Sequence, residues 1–209
     1  THALSLNFLP AWLRSLEAHT TVGPIQLVSD VAAHCEAQLQ HGRVQFLLCH
    51  GHERAPSGLD PASFVSCEVG RDELLPVCAP DAQGRPRFEL DAAPPRRGAK
   101  AALPMLAYST ESGLGRVLRS LHGAALEAPG REVVFTAHLA TVLRSLALEG
   151  RGLAFLPTSL VREDLAAGRL VPAGGARWTI ALSVRLHRPR AGLSAVAEKF
   201  WAAASQGAG

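Results

Sequence analysis

The chain has 209 residues and a formal net charge of +3, with 47% hydrophobic and 19% charged residues. This length allows one large domain or two small ones, and this composition allows a well-packed hydrophobic core. The basic residues are scattered and only 5% of residues are aromatic, which argues against a nucleic-acid-binding surface in these residues. No apolar run is long enough to span a bilayer, and the first residues show no signal-peptide pattern.

The first part of the chain alternates helical and strand-like patterns. Leu4, Phe8, Trp12 and Leu16 fall on one face at helical spacing, which predicts a single helix over residues 1–18. Short apolar runs bounded by turn-forming residues indicate buried strands. In chain order, the pattern predicts a helix over 1–18, a strand over 24–28, a helix over 31–40 closed by Gly42, and a strand over 44–49.

The second part resumes this alternation after an interruption. Residues 64–80 are predicted to form one or two strands, and residues 81–104, rich in Pro, Gly and Arg, a long exposed connection. Alternating strands and helices are typical of an α/β fold with a parallel sheet. The remaining predicted elements are strands over 105–108, 132–135, 153–156 and 178–186, and helices over 113–121, 138–149, 159–167 and 193–203.

The stretch LALEGRGLAFLP joins a helix to a strand over very few residues. Gly150 and Gly152 are predicted to end the helix tightly and to return the chain to the sheet. The strand ends at Pro157, and Thr158 and Ser159 are suited to cap the next helix. Ligands of open α/β sheets bind beyond the carboxyl ends of the strands, so the far end of this strand is expected to face a cleft.

The four cysteines are Cys35, Cys49, Cys67 and Cys78. They form no C-x-x-C pair, which argues against a zinc knuckle or a thioredoxin-like motif. Most of them lie in apolar runs, where cysteine behaves as a small hydrophobic residue. They are therefore predicted to be reduced core residues of a cytoplasmic protein.

Four segments, in this order along the chain, carry a family resemblance. The segment EGRGLAFLPTSLVREDLAAGRLVPAG is similar to the hallmark of the effector-binding domain of LysR-type transcriptional regulators. GRVQFLLCH occupies the place of an apolar strand of that family, CEVGRDELLPVCAPD resembles its crossing strand, and TAHLATVLRSLALEG resembles the helix before the hallmark. The resemblance spans nearly all of the chain and implies an effector-sensing domain.

The resemblance implies an α/β fold of two Rossmann-like subdomains with a central cleft, like type 2 periplasmic binding proteins. Subdomain I would contain residues 1–75 and 176–209, and subdomain II residues 76–175. The family's N-terminal winged helix-turn-helix, its linker helix and the first strand of this domain are not in these 209 residues, because Thr1 already stands at a helix N-terminus.

The resemblance also implies partners. A small-molecule effector would bind in the cleft, DNA would be bound only through the missing N-terminal domain, and the chain would form a homodimer or tetramer, using the first helix and the helix over 31–40. No cofactor and no membrane partner is implied. THALSLNFLPAWLRSL and AYSTESGLGR look most like the hypochlorite-responsive branch. Met105 is the only methionine and lies in a predicted strand, which argues against a methionine-based oxidation switch.

Candidate effector-binding residues are polar groups at predicted helix starts, where free backbone N–H groups and a partial positive charge attract anions. Their hydroxyls could equally cap their own helices. The resemblance favours Thr1, Ser109 and Thr136, since matching positions of the family contact the effector. The full predicted set is Thr1, His2, His50, His52, Ser109, Thr110, Thr136, His138 and Pro157.

The histidines allow three interpretations. His50 and His52 form an H-x-H pattern that can present two imidazoles to a metal, but zinc sites need three or four ligands. A cluster with His2 and His138 that binds a carboxylate ligand is favoured, because imidazoles near their pKa can supply positive charge. The third interpretation is that these histidines only satisfy loop backbone groups.

The leading hypothesis is therefore a cytoplasmic effector-sensing domain that is not an enzyme and binds a small, anionic molecule. The alternative is a periplasmic solute-binding protein of the same fold. A third hypothesis is an enzyme that uses the cleft, with a metal at His50 and His52.

Overall fold

The computed structural model describes residues 1–18, 20, 22–91 and 102–206. The helices are α1 (His2–Asn7), α2 (Leu9–Glu17), α3 (Ala32–Gln40), α4 (Gly113–Leu126), α5 (Ala140–Leu148), α6 (Thr158–Ala166) and α7 (Ala195–Gln206). The strands are β1 (Leu47–Gly51), β2 (Phe64–Cys78), β3 (Leu103–Tyr108), β4 (Arg131–Ala137), β5 (Leu153–Pro157), β6 (Val171–Pro172) and β7 (Ile180–Pro189).

The chain divides into two compact units. Unit 1 contains Thr1–Asp72 and Leu182–Gly209, and unit 2 contains Glu73–Ala181. The boundaries fall within β2 and β7, whereas the sequence-based boundaries follow residues 75 and 175. Among the described helices, none combines the length and the apolar character that crossing a membrane requires.

Residues 1–18 form two helices, so the prediction of one continuous helix is wrong. α1 ends before Phe8, and α2 begins at Leu9 with Pro10 in its first turn. Proline lacks the backbone N–H that a helix interior needs, and its ring clashes with the carbonyl four residues earlier. Proline is well tolerated in a first turn, so the chain restarts the helix there.

Residues 24–28 do not form the predicted strand. Residues 22–31 have no regular secondary structure, and the side chains of Ile25, Leu27 and Val28 are 49%, 54% and 50% exposed. No strand among the described residues pairs with this segment. A β-strand needs a hydrogen-bonded neighbour, which explains why an apolar run alone was not sufficient.

The sheet of unit 1 contains β1, β7 and the first part of β2, in that order. β1 is antiparallel to β7, with Leu47 opposite His187 and Gly51 opposite Ser183. One core cluster packs around Leu4 and Val184, and another packs α3 against β1. Cys35 and Cys49 belong to the second cluster.

The four cysteines are free, as expected of reduced thiols. Cys35, Cys49 and Cys78 are buried, whereas Cys67 is half-buried at the edge of a core cluster. Burial raises the pKa of the thiols of Cys67 and Cys78. Both therefore stay protonated and unreactive at neutral pH.

The sheet of unit 2 has the order β2, β5, β3, β4, with β6 also pairing with β2. β3 is parallel to β4 and to β5, but β5 is antiparallel to β2. The sheet is therefore mixed, whereas the alternating pattern predicted a parallel sheet. Strands joined through helices are parallel, whereas β2 is not part of such a β-α-β connection.

The helix-to-strand connection at Gly150 has the predicted tight geometry. Gly150 has a φ of +71°. Its N–H donates to the carbonyl of Ala147 at 2.9 Å, and the N–H of Arg151 donates to Leu146 at 3.0 Å. These two bonds define a Schellman motif, which ends α5 and sends the chain into β5. All five residues of β5 are buried.

A buried carboxylate holds the helices of unit 2 together. The side chain of Asp164, on α6, is 0% exposed and accepts hydrogen bonds from Arg144, on α5, at 2.5 and 2.9 Å. Arg169 donates two more, at 2.9 and 2.7 Å. Burial alone would raise the pKa of Asp164, but the hydrogen bonds from Arg144 and Arg169 outweigh it and lower that pKa.

Candidate functional site

Three parallel strands of unit 2 end at the same edge of its sheet. β3 ends at Tyr108, β4 at Ala137 and β5 at Pro157. A helix begins within a few residues of each end: α4 after β3, α5 after β4 and α6 after β5. The edge thus collects three helix N-termini, each with free N–H groups and a partial positive charge. We call it the carboxyl edge of unit 2.

The end of β3 is fixed by two hydrogen bonds. The hydroxyl of Tyr108 donates to the carbonyl of Phe155, on β5, at 2.9 Å. Complete burial raises the pKa of Tyr108, which keeps this hydroxyl protonated and able to donate. The N–H of Ser109 donates to the carbonyl of Ala137, at the end of β4, at 3.0 Å. These bonds hold Ser109 at the carboxyl edge.

The turn from β3 to α4 is held from the helix side. Arg119, on α4, donates to the carbonyls of Ser109 and Thr110 at 3.2 and 3.1 Å. A Cβ at Gly115 would lie 2.7 Å from the Cβ of Tyr108 and 3.0 Å from the carbonyl oxygen of Ser109. Glycine is required there, because any side chain would push the helix away from the strand end.

Ser112, rather than Ser109 or Thr110, caps α4. Its hydroxyl accepts a hydrogen bond from the N–H of Gly115 at 3.3 Å. The hydroxyl of Ser109 is therefore not used for capping. It is buried and makes no hydrogen bond of ordinary geometry with any residue that the structure describes. A buried polar atom without a partner is costly, so such an atom calls for an explanation.

The acidic residue of this turn is held in its charged form. The pKa of Glu111 lies below its usual value. The largest cause is the Ser109 hydroxyl, followed by the backbone N–H of Glu111 itself, the Thr110 hydroxyl and the charge of His138. The Ser109 hydroxyl therefore lies close enough to the Glu111 carboxylate to stabilise its charge, although the two form no hydrogen bond of ordinary geometry. The surroundings of Ser109 therefore stabilise a carboxylate.

The other predicted residues of unit 2 lie along the same edge. Thr136 is exposed on β4, opposite Ala107 of β3, and His138 is exposed just beyond β4. Pro157 is buried at the end of β5 and is the N-cap of α6. α5 begins at Ala140 with Leu139 as its N-cap, so neither Thr136 nor His138 caps that helix.

The predicted residues Thr1, His2 and His52 of unit 1 each have a hydrogen-bond partner of their own. Thr1 is the N-cap of α1 but makes no side-chain capping bond, and its amino group donates to the carbonyl of Leu48 at 2.8 Å. Nδ1 of His2 lies 3.5 Å from the hydroxyl of Ser29. His52 accepts a hydrogen bond from the N–H of Arg54 at 3.1 Å, which satisfies a loop backbone group.

His50 is a buried partner of an aspartate. Its Nε2 lies 3.0 Å from Oδ2 of Asp72, and each side chain is only 4% exposed. Removing the imidazole would leave the Asp72 carboxylate buried beside an empty space, which is strongly destabilising. A loss of ligand affinity in a His50→Ala variant would therefore not identify His50 as a ligand-binding residue.

The H-x-H pattern does not form a metal centre with neighbouring residues. Among the described residues, no group of three or more His, Cys, Asp or Glu side chains is arranged to hold a metal ion. His50 and His52 have separate partners, as described above. Two imidazoles without a third ligand fall short of the coordination that zinc requires.

Sequence reasoning did not identify Glu111 and Arg119 as parts of this turn. Glu111 lies between two predicted candidates in the chain, so position alone could have drawn attention to it. Arg119 is separated from Ser109 by ten residues and reaches its carbonyl from the second turn of α4. Only the docking of α4 against β3 brings these groups together.

Comparisons with known proteins agree on one family. The LysR substrate binding domain matches residues 1–209. The HTH-type transcriptional regulator YjiE of Escherichia coli (strain K12) is 26% identical over 200 residues, which cover 96% of this chain and 61% of YjiE. The HTH domain-truncated transcriptional regulator QseD of Escherichia coli O157:H7 is also 26% identical, over 96% of this chain and 76% of QseD.

The fold matches solved regulatory domains of the same family. The apo-form of the regulatory domain of HypT from Salmonella typhimurium has a TM-score of 0.77 at 24% identity, covering 98% of this chain and 90% of that domain. Its bromide-bound form has a TM-score of 0.76 at 24% identity, with the same coverage. The α/β fold is therefore that of type 2 periplasmic binding proteins, as predicted.

Proposed function

This chain belongs to the family of LysR substrate-binding domains, and from that premise we propose that it binds a small anionic effector at the carboxyl edge of unit 2. The family consists of transcriptional regulators rather than enzymes. Nothing in the comparisons points to the alternative of a periplasmic solute-binding protein.

The observation that carries this proposal is the buried hydroxyl of Ser109 at the end of β3. Among the residues that the structure describes, it has no hydrogen-bond partner of ordinary geometry. A ligand oxygen would accept a hydrogen bond from it and remove the cost of leaving it unpaired. The hydrogen bonds of Tyr108 and Arg119 already hold this turn in place. Binding there would need little reorganisation, which favours affinity.

The helix N-termini along the carboxyl edge of unit 2 support an anion rather than a cation. α5 and α6 begin with N-caps, Leu139 and Pro157, whose side chains make no capping bond to the first N–H groups of these helices. We therefore favour a small organic acid or an inorganic anion.

The solved relatives are compatible with this choice. The regulatory domain of HypT has been solved with a bromide ion bound, and the full-length HypT is described as a hypochlorite-specific LysR-type regulator. We extend to this chain only the class of ligand, a small anion. Thr110, Thr136, His138 and Pro157 are our candidates to complete its binding site, and Thr1, His2, His50 and His52 stay predictions.

The regulatory role of the whole protein is also part of the proposal. This chain spans 61% of the length of YjiE, so DNA binding is assigned to residues outside it. We propose that the protein is a cytoplasmic homo-oligomer whose subunits adopt two arrangements in equilibrium, and that the effector stabilises one of them. The effector can shift this equilibrium only by binding one arrangement more tightly than the other.

The proposal is tested by calorimetric titration with a panel of small carboxylates, inorganic phosphate and halides. For the anion that binds best, Ser109→Ala should weaken affinity by about 5- to 10-fold, the usual contribution of one hydrogen bond. The melting temperature should stay equal or rise, because the variant removes an unpartnered buried hydroxyl.

Ser145→Ala is the matched control. Ser145 is an exposed serine of α5 whose hydroxyl donates to the carbonyl of Thr141 at 3.1 Å within the same helix. Its loss should leave anion affinity unchanged. Two results would refute the proposal: no anion of the panel binds, or Ser109→Ala binds as well as the native protein.

A further inference from the structure

The turn that contains Ser109 also contains a negative charge. Glu111 is exposed and follows Ser109 by two residues, and its carboxylate lies close to the Ser109 hydroxyl. The N–H of Ser112 donates to the carbonyl of Ser109 at 3.3 Å, which closes the turn around Glu111. A ligand oxygen that binds the Ser109 hydroxyl therefore lies beside a carboxylate of the protein.

Hydrogen-bond donors, rather than a basic side chain, are the main support of this carboxylate. The hydroxyls of Ser109 and Thr110 and the backbone N–H of Glu111 all contribute more than the charge of His138 does. Arg119 also lies at this turn, but its guanidinium donates to the carbonyls of Ser109 and Thr110. Hydrogen bonds from hydroxyls stabilise a charge without cancelling it, so the turn stays negative at Glu111.

A region of opposite polarity adjoins the same turn. The N–H of Ser109 donates to the carbonyl of Ala137 at 3.0 Å, and the N-cap of α5, Leu139, follows Ala137 by two residues. The first turn of α5 carries a partial positive charge. The carboxyl edge of unit 2 thus places hydrogen-bond donors and a carboxylate acceptor next to each other.

This arrangement is unfavourable for a simple anion. A carboxylate or halide at the Ser109 hydroxyl lies next to the Glu111 carboxylate, and like charges at such a separation repel each other. A ligand that places an ammonium group next to its carboxylate meets an attraction instead. Its N–H groups can donate to Glu111 in charge-assisted hydrogen bonds, which are stronger than neutral ones.

We propose, on the basis of the anion site described under the proposed function, that Glu111 makes this site select an α-amino acid. The ligand's carboxylate accepts a hydrogen bond from the Ser109 hydroxyl and faces the first turn of α5, and its ammonium group donates to the Glu111 carboxylate. Both ligand groups are attached to one carbon atom, which matches the adjacent donors and acceptor of the protein. Glu111 is thus a specificity-determining residue.

Calorimetric titration of the native protein with matched pairs of ligands tests the proposal. Each common L-amino acid is compared with the same acid without its amino group, for example L-leucine with 4-methylpentanoate. The amino acid that binds best should bind at least about 5-fold more tightly than its matched acid, a modest ratio because Glu111 is exposed and its charge is screened. Equal or tighter binding of the matched acid would overturn the proposal.

A Glu111→Gln variant sharpens the test, because it removes the charge and keeps the size of the side chain. It should weaken binding of the amino acid by at least about 5-fold and strengthen binding of the matched acid by about 2-fold, since attraction and repulsion are both lost. A purely structural role of Glu111 would change both affinities in the same direction, and that result would contradict the proposal.

Glu149→Gln is the control for the loss of one negative charge. Glu149 is exposed at the C-cap of α5, at the opposite end of this helix from the carboxyl edge. This variant should leave the affinities for the amino acid and for the matched acid unchanged.

Failure of this proposal is distinguishable from failure of the anion site. If simple acids bind and Ser109→Ala weakens them, but Glu111→Gln leaves the preference between acid and amino acid unchanged, the anion site stands and selection by Glu111 is refuted. If neither simple anions nor amino acids bind, both proposals are refuted.

Discussion

The two units differ in how completely their sheets are built. In unit 2, the predicted strand over 153–156 is observed as β5, whose residues are all buried between β2 and β3. In unit 1, residues 24–28, which are also mostly apolar, remain irregular and exposed. Both segments are short, apolar and bounded by turn-forming residues. They differ in their neighbours: β5 has a paired strand on each side.

This difference shows what an apolar run specifies. It predicts that a segment can form a buried strand, but the hydrogen bonds and the burial come from adjacent strands. Unit 2 should therefore behave as a completed core that loses much free energy of unfolding when a central contact is removed. The exposed residues 24–28 of unit 1 should tolerate substitution with a smaller loss.

The largest expected effect is at Asp164, in the completed core of unit 2. Asp164→Asn removes the charge that four hydrogen bonds from Arg144 and Arg169 surround. It should lower the free energy of unfolding by about 3–5 kcal/mol, as expected for breaking a buried ion pair. Urea denaturation measures this loss. The control is Glu163→Gln at an exposed neighbouring residue, which should change the free energy of unfolding by no more than about 0.5 kcal/mol. Equal effects would show that this network does not stabilise unit 2.

A second effect tests whether unit 1 is well packed around β7, where His187 lies. Burial, followed by the charge of Arg185, lowers the pKa of His187 from 6.5 to about 4. The unfolded chain therefore takes up a proton before the folded one does. Stability should be complete above about pH 6.5 and fall by about 3 kcal/mol as the pH drops to about 4.

The His187→Gln variant isolates this contribution from that of other acidic groups. Because glutamine does not titrate, the variant should lose markedly less stability than the native protein between pH 6.5 and pH 4. Denaturant unfolding across that range measures the difference. Parallel pH profiles would indicate that His187 is hydrated, and hence that unit 1 is loosely packed around β7.

The smallest of these effects is at a glycine of the connection into β5. A Cβ at Gly152 would lie 2.8 Å from the carbonyl oxygen of Pro104 and 3.1 Å from Leu106. Gly152→Ala should cost about 1–3 kcal/mol, because backbone atoms must shift to accommodate the methyl group. Gly192→Ala in unit 1 is the control, since nothing lies within 4 Å of the new methyl group. Similar melting temperatures would mean that the β5–β3 contact is not tight.

Part of the candidate site could be predicted from the order of the elements. Ser109, His138 and Pro157 follow or end three parallel strands, and parallel strands joined by helices end at the same edge. The roles of Glu111 and Arg119 could not be predicted in this way. They depend on how closely α4 packs on the end of β3, which Gly115 permits and no local pattern reveals.

The histidines show the opposite case. His50 follows a predicted strand, and its position suggested a ligand-binding residue. Its partner, Asp72, lies 22 residues away on another strand, and the pair is buried. Sequence spacing carries no information about such a pairing, because it depends on the register between strands.

The sequence by itself determined the family, the α/β class and most of the helices and strands. These follow from local periodicity, glycine stops such as Gly42 and Gly150, and an ordered set of motifs. Only the tertiary structure decided which apolar runs become strands, which histidine is already paired, and which hydroxyl is left without a partner. Those outcomes depend on contacts between residues distant in the chain. Whether a group is buried or hydrogen-bonded is decided by its neighbours as much as by the residue itself.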